Sequence, residues 1–136
     1  MERFDFVIPG TPRTRQRRRR NTGEDWKGSV RAAAQRRWPE SRTPFAAELQ
    51  ALIIYYYRNE TTIDVDNIGK LILDAIKGLL IDDDRLISQL IVRKTDLTQI
   101  SSIRDPSEVL APFLGIDENF VYVCLGGPPD HREIPI

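Results

Sequence analysis

The sequence predicts an α+β fold, a small mixed β-sheet with helices packed on it, in a single domain spanning 1–136. Three observations carry that expectation. The length of 136 residues suits one modest core. Strand-like and helix-like segments interchange in the order β, α, β, α, β, α, β, with no internal repeat. One stretch, Asn67 to Leu80, holds a helical apolar period for its whole length.

The elements follow in order. Residues 3–8 (RFDFVI) alternate charged and apolar before Pro9-Gly10, which predicts a short strand and a turn. Thr11 to Gly23 is polar, Arg-rich and without apolar period, so it reads as a loop or arm. Asp25 to Trp38 predicts a helix whose apolar stripe is Trp26, Val30, Ala33, Ala34 and Trp38, broken by Pro39 and Pro44. The β-branched and aromatic finish Ile53-Ile54-Tyr55-Tyr56-Tyr57 makes 46–57 a long central strand. Arg58 to Thr62 connects it to the Asn67–Leu80 helix, for which Asp66 is the expected N-cap. An acidic turn, Asp82-Asp83-Asp84, leads to a strand from about Leu86 to Lys94. Asp105-Pro106-Ser107-Glu108 has the pattern of an N-cap, Pro at N1 and a carboxylate at N3, which predicts a helix to Leu114 ended by Gly115. Phe120 to Leu125 is the last strand. Residues 126–136, rich in Gly and Pro, read as a loose tail.

Net charge is zero, but its halves differ. Residues 1–42 hold twelve Lys and Arg against five Asp and Glu, a net of +7, and residues 43–136 carry −7. Arg13, Arg15, Arg17, Arg18, Arg19 and Arg20 crowd into eight positions. A cationic arm for a polyanion beside an acidic body with another task fits this split, and a solvated arm is the bland alternative. No apolar run reaches the length of a membrane span, and Met1 to Gly10 has Glu2 and Asp5 but no apolar core, so neither a membrane partner nor a signal peptide is expected. One cysteine, Cys124, cannot form an internal disulfide, which suits the cytoplasm.

The chemistry concentrates in Ile63 to Lys94. Asp64 and Asp66, two apart in expected extended chain, would share one face at roughly 7 Å. Asp82, Asp83 and Asp84 follow at the far end of the helix. All-oxygen ligation favours magnesium or manganese, and His131 offers no alternative ligand set. Such an ion polarises a phosphodiester and activates water. Lys70, four residues after Asp66, shares its helical face and would meet a phosphate. The same residues also suit plainer work: Asp66 as a cap, Asp64 in a turn, the triplet as a solvated loop, Lys70 as an exposed cation. Chemistry alone leaves both readings open.

The joint pattern D-x-D-N-x-x-K, an apolar helix containing D-A, then D-D-x-x-I and a later Lys resembles the RusA family of Holliday junction resolvases. It is spelled by Asp64, Asp66, Asn67, Lys70, Asp74-Ala75, Asp83-Asp84, Ile87 and Lys94, behind an opening FVIPGTP that looks like that family's first strand and turn. The resemblance implies a homodimeric, Mg2+-dependent endonuclease (Mn2+ as substitute) that makes paired nicks in four-way DNA junctions, working on the nucleoid. It implies Asp64, Asp66 and Asp84 as metal ligands, Lys70 as the catalytic lysine, and Asn67 and Asp83 as supports behind them, with Asp82 an extra. The arginines from Arg13 to Arg20 would track phosphates without reading sequence.

Two rivals stand beside this reading: a nuclease for other branched DNA such as flaps or forks, and a DNA-binding module of the same fold without chemistry. Residues 95–118 exceed a simple hairpin, which leaves two readings open: a reshaped dimer interface or DNA groove, or a substrate other than a four-way junction, such as a flap or fork. Trp26 and Trp38 fit core or interface positions better than base stacking, Tyr55 to Tyr57 fit strand packing, and Cys124 fits a buried site. His131 is expected to be exposed and idle.

Overall fold

The computed structural model describes residues 3–12, 22–59 and 63–136, with side chains from Trp26 onward in the first helix. The arginine run from Arg13 to Arg20 lies outside the described residues. Strands β1 (Phe4–Pro9), β2 (Leu49–Tyr57), β3 (Ile87–Asp96) and β4 (Phe120–Gly126) form one sheet in the order β1-β4-β2-β3. β2 and β3 run parallel, while β4 is antiparallel to both β1 and β2, so the sheet is mixed as the sequence predicts. A parallel pair needs a crossover, which helix α2 (Val65–Ile76) supplies.

Period-two alternation gives the sheet two apolar faces. Phe4, Phe6 and Ile8 of β1, Leu49, Ala51, Ile53 and Tyr55 of β2, and Val121, Val123 and Leu125 of β4 point to the helical side. There they meet the apolar stripes of α1 (Thr22–Gln35) and α2, including Trp26, Val30, Ile68, Ile72 and Ile76. Each such aliphatic side chain stabilises the fold by about 1.5–3 kcal/mol when fully buried. Trp26 and Trp38 are both buried, and Trp38 packs edge-on to Phe4 at 4.9 Å between ring centroids. Gly69 brings α2 close to the sheet, because a Cβ there would lie 3.1 Å from Val92 Cγ2.

The opposite face, built from Val7, Ile54, Tyr56, Phe120, Tyr122 and Cys124, is not left to solvent. The long segment after β3 folds over it with Leu110 buried and Leu97, Ile103, Val109, Phe113 and Leu114 packed around it. Much of the 95–118 stretch thus forms a second core layer.

Several details depart from the sequence expectations. α1 occupies Thr22–Gln35 rather than Asp25–Trp38, so Thr22 and Gly23 belong to the helix and not to the arm. α2 starts at Val65 with Asp64 in the N-cap position (φ −81, ψ 151), so Asp66 lies inside the first turn and is not the cap. It ends at Ile76, because Lys77 turns extended and Gly78 adopts φ +83, which glycine tolerates without a Cβ clash. The third helix is absent: Ala111–Phe113 form one 3-10 turn, Asp105 has φ +46 instead of an N-cap conformation, and Pro112 blocks the ladder of any longer helix. In the stretch expected to be a loose tail, Gly127 O accepts from Gln50 Nε2 at 3.0 Å and His131 Nε2 contacts the Glu48 carboxylate, while Ile134 and Ile136 are exposed. His131 is exposed as expected, and its ring meets Glu48 at the surface. Among the described residues no helix is long and apolar enough to cross a membrane.

Candidate active site

The strand registers place one rim of the sheet in view. Pro9 pairs with Phe120, Phe120 with Tyr56, and Tyr56 with Thr95. One row further out lie Gly10, Asn119, Tyr57 and Asp96, at the carboxyl ends of β2 and β3. Ligands of sheets with parallel strands collect at such ends. Here the chain leaves β2 and turns into α2, which carries Asp64 and Asp66 on its opening turn.

Asp64 is exposed and makes no side-chain cap bond, although it holds the cap position. The first turn is closed instead by the backbone, with Ile68 N donating to Asp64 O at 3.2 Å. Asp66 is also exposed. The helix begins one residue after Asp64, so the two carboxylates flank the first turn instead of lining one side of a strand. Neither has a hydrogen-bond or ion-pair partner among the described residues. The positive end of the helix dipole points at both carboxylates. Lys70 is exposed one turn along on the side of Asp66, and Asn67 between them is half-buried.

Asp84 is elsewhere. It opens the 3-10 turn Asp84–Leu86 that precedes β3, at the far end of α2 from Asp64 and Asp66. The twelve residues of α2 alone span about 18 Å. No group of three or more His, Cys, Asp or Glu side chains able to hold a metal forms among the described residues. Asp83 is occupied with that turn: its carboxylate accepts from Arg85 N at 2.9 Å, and this bond, with a further one to Asp84, lowers its pKa. Asp82 is exposed beside it, its amide donating to Phe45 O at 3.1 Å. One chain therefore joins Asp64, Asp66 and Lys70 and separates them from Asp83 and Asp84.

The carboxylate pair fits a hard divalent cation. Its oxygens are unclaimed among the described residues, and magnesium is commonly held by one or two carboxylates with water and substrate phosphate completing the shell. When bound, such an ion supplies phosphate polarisation and a more acidic water. The chain itself contributes two carboxylates at the positive end of a helix dipole, and Lys70 to meet a phosphate.

Two further residues of this rim carry structure. Asn119 donates Nδ2 to both the Thr11 hydroxyl and the Tyr55 hydroxyl at 3.1 Å, and its Oδ1 accepts from Arg58 N at 2.8 Å. With Gly10 N on Asn119 O at 2.8 Å, it roots the chain leading into the arginine run at the same rim as the carboxylates. Nothing local in the sequence marks Asn119. Lys94, from β3, bonds the Ile63 carbonyl at 3.1 Å. Its place in the Leu90, Val92, Lys94 alternation was a legible anomaly: a cation on the apolar face.

On the other face of this rim, a cleft of about 460 Å³ is walled by Arg58, Leu97, Ile100, Ile103 and Leu114. The Arg58 guanidinium crosses to the carbonyls of Leu114 and Ile116 at 3.1 Å each.

A comparison with curated proteins finds no match. The family model described as endodeoxyribonuclease RusA matches residues 5–101, which takes in β1, both helices, β2, β3 and the whole of the Asp64-to-Lys94 pattern. The chain belongs to the RusA family of endodeoxyribonucleases.

Proposed function

We propose that this protein is a Mg2+-dependent endodeoxyribonuclease that cuts branched DNA, the four-way junction foremost, as a homodimer. The observation that carries this reading is the unclaimed pair Asp64 and Asp66 on the opening turn of α2, with Lys70 one turn on. The root of an arginine-rich segment sits at the same rim. Cation-assisted attack on a phosphodiester needs anionic oxygens for the ion, a cation for the phosphate and a basic surface for the backbone. In this reading Asp64 and Asp66 hold Mg2+, Lys70 stabilises charge on the departing oxygen, and the arginines supply salt-sensitive affinity.

The position of Asp84 favours a dimeric site. β3 is an edge strand, with Leu90 and Ile91 41% and 42% exposed. A two-fold axis through that edge would lay two β3 strands antiparallel. The start of one strand, with its Asp84, would then face the end of the other, with Asp64 and Asp66 of the partner subunit. Two equivalent sites also suit paired cuts in symmetry-related strands.

The decisive experiment incubates a labelled four-way junction with the protein and magnesium, beside Asp66→Asn and a linear duplex. Symmetric nicks in the junction alone, lost in the variant, are expected. Binding without cutting in magnesium and manganese alike would leave a DNA-binding module, and equal cutting of junction, flap, fork and duplex would remove the junction preference. Mixing Asp66→Asn with Asp84→Asn protein tests the dimeric site, since a mixed dimer regains one intact site if Asp84 acts across the interface and none if it acts within its own chain.

A further inference from the structure

β3 presents Leu90, Val92 and Lys94 towards α2, so a lysine occupies the place where the alternation would put a third apolar side chain. Lys94 is half-buried beside Tyr55, its register partner on β2. Burying the stem and part of the head of a lysine costs solvation unless the ammonium finds partners. One partner is the Ile63 carbonyl at 3.1 Å. Ile63 immediately precedes Asp64, and Asp66 follows two residues later, so this bond grips the chain just where it delivers both carboxylates to the helix mouth.

A second contact holds the other end of the same turn. Gly69 seats α2 against Val92 and Leu90, the two residues of β3 that lead to Lys94. The opening turn of α2 is thus clamped to β3 at Gly69 by close packing and at Ile63 by Lys94. Catalytic geometry tolerates little slack, and a displacement of about 1 Å costs on the order of 100-fold in rate.

We propose that Lys94 is a positioning residue for the Asp64–Asp66 pair: it fixes the Ile63 carbonyl and so sets where the two carboxylates meet the cation. This inference rests on the nuclease reading above. It differs from a phosphate-binding role for the same lysine, which would act on DNA affinity and leave the cation untouched.

The test compares Lys94→Met, Lys94→Gln and Lys94→Arg in the full chain by three measurements. These are Mn2+ binding followed by electron paramagnetic resonance without DNA, junction affinity without a catalytic ion, and single-turnover nicking in magnesium. The methionine variant is expected to keep junction affinity within about twofold. It should lose about 10- to 100-fold in both Mn2+ affinity and nicking rate, the range seen for supports behind metal ligands. Arginine, which can still donate to the carbonyl, should restore most of the loss. Wild-type Mn2+ affinity and nicking in the methionine variant would overturn the proposal. So would a rate loss that follows junction affinity with Mn2+ binding unchanged, since that assigns Lys94 to phosphate. Should the methionine variant fail to fold, the glutamine variant decides on the same readings, and wild-type Mn2+ affinity there overturns the proposal. A wild-type protein that binds Mn2+ and never cuts would remove the nuclease reading. A weakened Mn2+ site in the variants would still support the positioning role of Lys94.

Discussion

Replacing Asp64 or Asp66 separates a structural carboxylate from a functional one, because the two roles predict opposite outcomes. A capping Asp contributes about 0.5–2 kcal/mol through its bond to a first-turn amide. Asp64 makes no such bond although it sits at the cap position, and both side chains face solvent. What remains is electrostatic. Loss of one charge forfeits about 0.3–1 kcal/mol of favourable interaction with the helix dipole. The same change relieves repulsion between two neighbouring carboxylates in water, on the order of 0.5 kcal/mol. These nearly cancel, so Asp64→Asn and Asp66→Asn should each move folding stability by less than about 0.5 kcal/mol. Activity should behave otherwise. Loss of a ligand to the ion is expected to slow nicking by three orders of magnitude or more, about 4 kcal/mol of barrier. Urea unfolding followed by circular dichroism reads the first quantity, and single-turnover nicking of a four-way junction reads the second. A stability loss above about 1 kcal/mol would make the carboxylate a structural cap. Nicking at close to the wild-type rate would remove that residue from the site.

Three more outcomes follow from the same geometry. Leu110, 4% exposed in the layer over the second sheet face, should cost about 2–3 kcal/mol when cut to Ala, with the nicking rate per folded molecule unchanged; a loss under about 0.5 kcal/mol in urea unfolding would show that this layer is not packed. Burial, together with the bond to Asp5 Oδ2 at 2.7 Å, pushes the Tyr122 hydroxyl from 10.0 up to about 12. A raised folded-state value gives stability that is fully present below pH 10 and lost as pH climbs through 12, and alkaline unfolding of Tyr122→Phe should lack that component. Replacing Arg17 to Arg20 with Gln should flatten the dependence of log affinity on log salt by about 0.9 for each phosphate no longer neutralised. An unchanged slope in a salt titration of junction binding would refute the phosphate role of that segment.

Much of the fold was legible because its signals are local. The Ile68, Leu71, Ile72, Ala75, Ile76 spacing that predicts α2 corresponds to the residues buried there, and the alternations of β1, β2 and β4 name the residues that point into each face. Errors came where a local signal had two readings. The Asp105 cap signal is not used: Asp105 has φ +46, and Ser107 Oγ accepts from Leu110 N at 3.2 Å in a turn instead. Pro112, which has no amide hydrogen to donate, rules out the longer helix. Asp64 and Asp66 both suit a helix start, and backbone closure on Asp64 O decided between them.

The sequence by itself determined which residues can share a helical turn. Asp66 and Lys70 meet because they are four apart on α2, and Asp64 stands at its mouth because the helix begins next to it. It also marked the Asp64-to-Lys94 pattern by which the family is recognised. Tertiary structure decided everything that depends on which surfaces meet across the chain. The parallel pairing of β2 with β3 sends α2 back along the sheet, and that crossover alone puts Asp84 at the end opposite Asp64. The register of β3 against β2 brings Lys94 under Ile63. Periodicity shows that a sheet face is apolar but not what will cover it, so the packing of residues 97–114 over the second face could be seen only once the chain was folded.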